Sequence, residues 1–128
     1  MIERQIESFS VRAQEKVLKI FKKSIIDLAS DIISDTPVDT GRLKNNWFPS
    51  VGAASQQTTE ATANEAGDRA NSFVNNQLAL DKTFYFTNNL PYALRIEFEG
   101  WSKVKAPQGM VRRNAIRWKQ IVKRAANA

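Results

Sequence analysis

The chain has 128 residues, enough for one domain that closes a single core without staples. Hydrophobic residues make up 42% and charged residues 25%, which suits a globular chain, and no apolar run of about 18 residues is present to span a membrane. There is no cysteine and no histidine, so disulfides, thiolate and imidazole metal sites, and the Ser-His and Cys-His nucleophile pairs are excluded.

Catalysis would have to rest on carboxylates, lysine, tyrosine or a carboxylate-bound metal. None of these is arranged for it, so no catalytic residue, metal or cofactor is expected. The first residues, Met1 to Glu7, are charged and lack an apolar h-region, so no signal peptide is expected and the chain should start life in a cytosol. The net charge of +6 is unevenly placed. After Glu99 there is no acid, while Lys103, Lys105, Arg112, Arg113, Arg117, Lys119, Lys123 and Arg124 follow. Such a segment suits a polyanion or an acidic protein surface. The plain alternative is a solvated helix face whose cations favour the helix C-terminus.

Residues 5–34 read as one amphipathic helix. Val17, Phe21, Ile25, Leu28 and Ile32 recur at three- and four-residue steps, with Leu18 and Ala29 widening the stripe. Thirty helical residues reach about 45 Å, more than a small core requires. The first turns, with Ile2, Ile6 and Phe9 in residues 1–10, are therefore expected to project and pack on a neighbour. Pro37 ends the helix. Asp39 or Thr40 is expected to cap a short helix that carries Leu43 and Trp47 on one face. Trp47 to Gly52 reads as a short strand, with Pro49 at an edge or bulge. A loop follows, 53–65 in its widest reading, and a helix is expected from about 58 to 78, with Gly67 and several Asn lowering its propensity. A low-complexity linker is the alternative. Asp81-Lys82 reads as a turn, and Thr83 to Thr87 as the best strand, being β-branched and aromatic. Asn88-Asn89 breaks it. A short helix should start at Pro91 and close at Glu99-Gly100. After a loop over 101–107, a last helix is expected over 109–126, with Met110, Val111, Ala115, Trp118, Ile121 and Val122 at helical spacing. The expected architecture is one α+β domain over 1–128: a small antiparallel sheet packed by a long N-terminal helix, a middle helix and a basic C-terminal helix.

No phosphate-binding glycine loop, EF-hand loop or metal spacing is present. Glu97 and Glu99 could in principle serve acid–base chemistry, but a lone pair beside a glycine reads as solvated or salt-bridged. Trp47 and Trp118 read as core anchors. Trp101, in a polar loop, is the exposed aromatic and suits a protein contact better than a base platform.

Three motifs carry a resemblance. The first is Thr36-Pro37-Val38-Asp39-Thr40-Gly41-Arg42-Leu43, followed by Trp47. The second is Tyr85-Phe86-Thr87-Asn88-Asn89-Leu90-Pro91-Tyr92-Ala93, then Arg95-Ile96-Glu97-Phe98 and Gly100. The third is Ala106-Pro107-Gln108-Gly109-Met110-Val111-Arg112. In this order and spacing, over residues 10–125, they resemble a family of minor structural proteins of long-tailed bacteriophages: neck, head–tail joining or tail-completion components. In this chain Glu99 intervenes before Gly100, and Lys105 stands where the family often has glutamine. The resemblance implies a non-enzymatic virion protein, made in the host cytoplasm and built into a six- or twelve-fold ring of its own copies at the neck. Its implied partners are the head connector and the tail-terminator or tail-tube proteins, with DNA only as passing cargo and no membrane. A closed ring needs one patch on each side of the subunit. The candidates for these patches are the N-terminal turns (Ile2, Ile6, Phe9) and the loop residues Glu99, Trp101, Lys103 and Lys105, while the basic residues Arg112, Arg113 and Arg117 are candidates for pairing with an acidic ring above or below. The alternatives are a small nucleic-acid-binding module using the basic C-terminal helix, and a hydrolase acting through Glu97 and Glu99.

Overall fold

The structure, a computed structural model, describes residues 2–38, 40–99 and 109–128. Helix α1 runs over Ile2–Asp35. It stops because the Thr36 hydroxyl donates to the carbonyl of Ile32 at 2.7 Å and Pro37 follows. The helix divides into two halves. Ser24, Ile25, Ala29, Ile32 and Ile33 are buried in the domain, whereas every residue from Ile2 to Val17 is exposed. Val17, expected on the core stripe, thus lies outside the domain, because packing begins only at Leu18.

The short helix α2 spans Arg42–Asn45 and strand β1 spans Trp47–Val51. Leu43 and Trp47 were expected on one helix face. Trp47 instead opens the strand, because the helix ends at Asn46, yet both side chains are buried in the same core cluster. Helix α3 spans Ala66–Gln77, beginning later than the expected residue 58. Strand β2 spans Phe84–Asn88, one residue beyond its expected position, and pairs antiparallel with β1, from Trp47 opposite Asn88 to Val51 opposite Phe84. Each strand of this two-stranded sheet is an edge, so Pro49 loses no inner ladder bond. Trp47 stacks on Phe86 at 5.2 Å between ring centroids, and Phe86 stacks on Phe84.

Helix α4 spans Pro91–Glu99, starting at the expected proline. The expected single last helix is two helices, α5 over Val111–Ala115 and α6 over Trp118–Ala126. The break has a local cause. Asn114 donates its side-chain amide to the carbonyl of Met110 at 2.7 Å and to Asp35 at 2.9 Å, while the N–H of Arg117 turns to the carbonyl of Asn114. The Asn114 side-chain oxygen is buried and has no partner among the described residues.

The fold is α+β, a two-stranded antiparallel sheet and six helices among the described residues. The second half of α1 is its spine and packs against α3, α5 and α6. One core cluster joins Ile32, Ile33, Leu43, Trp47, Ala66, Leu90, Ala93, Ile96 and Met110. A smaller one joins Ile25, Val74 and Leu78, with Phe21, Phe84 and Trp118 against it. Trp118, expected as a core anchor, is only half-buried at this margin. Among the described residues no helix is long and apolar enough to cross a membrane.

Candidate functional site

The motif residues meet one another. At the first junction, Thr36 is buried, and its hydroxyl oxygen accepts the indole N–H of Trp47 at 2.9 Å while donating to Ile32. One side chain thereby ends α1 and fixes the start of β1. The capping position of α2 belongs to Gly41, with no side-chain cap bond, in place of the expected Asp39 or Thr40. Asp39 lies outside the described residues. The Thr40 hydroxyl still accepts the Arg42 N–H at 3.3 Å. Gly41 has φ +91°, and a Cβ there would stand 2.6 Å from the carbonyl oxygen of Thr62. Glycine thus lets the following loop lie against the turn. Pro37 is half-buried and Val38 exposed.

That loop is held by amide side chains. Asn46 donates to the carbonyl of Thr59 at 2.9 Å and accepts its N–H at 2.9 Å. Asn45 donates to the carbonyl of Ala61 and accepts the N–H of Glu65. Arg42 Nε donates to Thr59, and Asn89 reaches the carbonyls of Ser55 and Gln57. These bonds take the backbone groups that a helix beginning near residue 58 would have used, so α3 starts only at Ala66. Arg69 of α3 donates to the carbonyls of Asn45 and Trp47 and lies 4.2 Å over the ring of Phe48. Asn88 donates to the carbonyl of Leu43 at 2.9 Å, which ties the second motif to the first. Pro91 opens α4, and half-buried Tyr92 packs on the core.

The third motif closes on Glu97. This carboxylate is buried and accepts the backbone N–H groups of Met110 at 2.5 Å, Val111 at 3.0 Å and Arg112 at 2.8 Å, the first turn of α5. The Arg112 guanidinium adds an ion pair at 3.4 Å and also donates to the Glu97 carbonyl. Burial alone would raise the Glu97 pKa. The three backbone donors and Arg112 outweigh it, so the pKa lies below the usual glutamate value. Gly109 has φ +85°, and a Cβ there would lie 2.7 Å from the Glu97 backbone oxygen and both carboxylate oxygens. Glu97 was expected to be solvated or salt-bridged; it is salt-bridged to Arg112 and, in addition, is the buried clamp of a helix N-terminus, where a negative charge also meets the positive end of the helix. Glu99 is exposed and faces Arg95 in an i, i+4 pair at 3.7 Å. The two glutamates therefore lie in different surroundings, one buried among backbone donors and one exposed beside Arg95. Met110 is fully buried and Val111 is exposed.

Of the candidate interface residues, Ile2, Ile6 and Phe9 are exposed on α1. Arg113 reaches Asp35 at 3.8 Å, and Arg117 is exposed with no ion pair among the described residues. Gly100, Trp101, Lys103, Lys105, Ala106 and Pro107 lie outside the described residues. Asn45, Asn46, Arg69 and Asn114 were missed by the sequence reading. The adjacent Asn45-Asn46 pair before a strand was the available signal, since asparagine readily bonds nearby backbone. Among the described residues no three acidic side chains gather in a group that could hold a metal. Compared with known protein families, curated proteins and solved structures, the chain matches none of them.

Proposed function

We propose that the chain is a non-enzymatic structural subunit of a long-tailed bacteriophage particle, a neck or tail-completion component that works in a ring between head connector and tail. The observation that carries this reading is that the three motifs behind the family resemblance interlock as architecture. Thr36 holds Trp47, Asn88 holds the carbonyl of Leu43, and Glu97 holds Met110, Val111 and Arg112. The motif glycines Gly41 and Gly109 sit where another backbone or a carboxylate approaches. Motifs used in this way specify a shape, and they leave the exposed first half of α1 for neighbours. Light scattering after size exclusion, at low and at physiological salt, tests the ring. A salt-resistant species of about six or twelve subunits is expected for a closed heterologous ring. A monomer at every concentration overturns it.

A second reading has its own observation. Arg117, Lys119, Lys123 and Arg124 are exposed on or beside α6 without an ion pair among the described residues. A nucleic-acid module would show DNA affinity with a steep salt slope, lost in a variant with Arg117, Lys123 and Arg124 replaced by Ser. Affinity unchanged in that variant removes the second reading.

A further inference from the structure

Helices α1 and α6 lie antiparallel along each other. Arg113, ahead of α6, meets Asp35 at the end of α1, whereas Ala128 shares a concavity with Lys23 and Asp27, earlier in α1. A groove runs between the two helices. Arg117, Gln120, Arg124 and Asn127 recur at steps of three and four from the N-cap to the C-cap of α6, so they line one wall from one helix face. Asp31 of α1 lines the other wall, and this part has a volume of about 750 Å³. Past Asp31 and Arg124 the groove continues into a concavity of about 370 Å³ that reaches Lys23 and Asp27. These two residues also border a third concavity, again about 370 Å³, beside Lys19 and Lys22 and against Asn71 and Asn75 of α3. The three parts share lining residues and form one track, which follows α1 from Asp31 back to Lys19. That is roughly 18 Å, the reach of about six extended residues.

The charge of the track is lopsided and mostly unanswered. Six cations border it, Lys19, Lys22, Lys23, Arg117, Lys123 and Arg124, against the carboxylates of Asp27 and Asp31. Lys23 pairs with Asp27 at 3.4 Å, and Lys22 Nζ donates to the carbonyl of Asn75. Among the described residues Lys19, Arg117, Lys123 and Arg124 pair with no carboxylate, although Asp31 lines the same cavity as the last three. The walls do not close on each other, and a concave surface of one dominant sign is left for an anion. The lining selects among polyanions. No aromatic ring borders the track, whereas single-stranded nucleic acid is held by stacked bases as well as by its phosphates. The two carboxylates repel a phosphate backbone laid over them. They accept N–H bonds, and the side-chain amides of Gln120, Asn127, Asn71 and Asn75 both donate and accept; a peptide backbone uses both, and a phosphodiester has no donor to offer. Ile26 is the only large apolar residue on the track, so an amphipathic helix finds no row of anchors there.

We propose that the α1–α6 track binds an extended acidic peptide segment of a partner protein. Its carboxylates meet Arg117, Lys123 and Arg124 at one end and Lys19 and Lys22 at the other, and its backbone N–H groups meet Asp31 and the side-chain amides. The groove and its charges belong to a single copy, so this site goes beyond the ring reading and does not depend on it. Nucleic acid on the same cations is the competing outcome.

Fluorescence anisotropy on the full chain tests it with a labelled peptide of alternating Glu and Ser, about ten residues long. A Gln-Ser peptide and a single-stranded DNA matched in charge to the Glu-Ser peptide serve as comparators. The Glu-Ser peptide is expected to bind several-fold more tightly than either, with an affinity that falls as salt is added. The triple variant Arg117→Gln, Lys123→Gln, Arg124→Gln should weaken it about ten-fold or more. Arg4→Gln, Arg12→Gln, Lys16→Gln removes the same charge from the exposed first half of α1 and should change it by less than about two-fold. Gln120→Ala with Asn127→Ala removes no charge; it should weaken the peptide several-fold and leave DNA affinity unchanged. All these positions are exposed, and circular dichroism confirms that each variant keeps its helix content. Tighter binding of the DNA, equal losses in the two triple variants, or no binding of the Glu-Ser peptide each overturns the proposal. Light scattering of the same samples keeps the two readings apart. A ring that ignores the peptide sinks this site alone, whereas a monomer that binds it sinks the ring and leaves the site standing.

Discussion

Two segments lacking regular ladder bonds are latched to the body, and they are latched differently. The 55–65 loop is held mainly by neutral amides, with one bond from Arg42: Asn45, Asn46 and Asn89 bond its backbone as a neighbouring strand would. The start of α5 is held by a charge, the Glu97 carboxylate, which takes three backbone N–H groups and an arginine. A neutral latch shares its load over many weak bonds and is insensitive to pH. A charged latch concentrates the load on one buried group, and that group must be ionised to hold. The contrast suggests that the loop should loosen residue by residue, whereas the α4–α5 junction should open as a unit.

The largest expected effect comes from Gly109→Ala. It forces a side chain into a positive-φ position against the Glu97 carbonyl and carboxylate, and should cost about 3 kcal/mol by denaturant unfolding. Glu97→Gln comes next, at about 2 kcal/mol near neutral pH, because the charge-assisted bonds weaken and one oxygen becomes a donor facing donors. This variant also isolates the pH dependence. The folded Glu97 pKa is depressed, so its contribution is complete above the unfolded glutamate value and is lost as pH falls through the folded one. Stability measured from neutral to acid pH should therefore fall less steeply in Glu97→Gln than in the parent; an equal slope would show that the clamp is not charge-dependent. Asn46→Ala should cost about 1.5 kcal/mol and speed amide exchange at Thr59, while leaving the acid slope as in the parent. Thr36→Val is the smallest, about 1 kcal/mol, since it leaves the Trp47 indole N–H without its acceptor; near-ultraviolet circular dichroism of the tryptophan band should report it.

The same contrast explains what the sequence made legible. Periodic and strongly biased segments were readable: the long first helix, the aromatic strand over Phe84–Asn88, and the helix opened by Pro91. Their signals are local, because each residue's neighbours in sequence are also its neighbours in space. The latches were not readable, since they join residues far apart. Asn46 meets Thr59, Glu97 meets Met110, and Asn114 meets Asp35. Each of the first and last of these also shifted a helix boundary, which is why α3 begins late and the final helix breaks. The motif residues Thr36, Trp47, Glu97 and Gly109 were singled out from sequence, but their pairing was not, because nothing in a spacing says which side chain turns inward.

The spine of the fold has a kinetic consequence. Helix α1 can form as soon as it exists, for its hydrogen bonds are local. Its coverage is not local: α6 packs on it from the far end of the chain, and the Asp35–Asn114 bond closes a span of 79 residues. The two strands that pair are likewise separated by the whole loop and α3. A chain this helical would ordinarily fold as quickly as a bundle, but these long closures raise its contact order toward that of mixed α/β domains and should slow it accordingly. Until α3, α5 and α6 have all docked, part of the inner face of α1 is as bare as its exposed first half, and a nascent subunit presents more apolar surface along one helix than the finished one does.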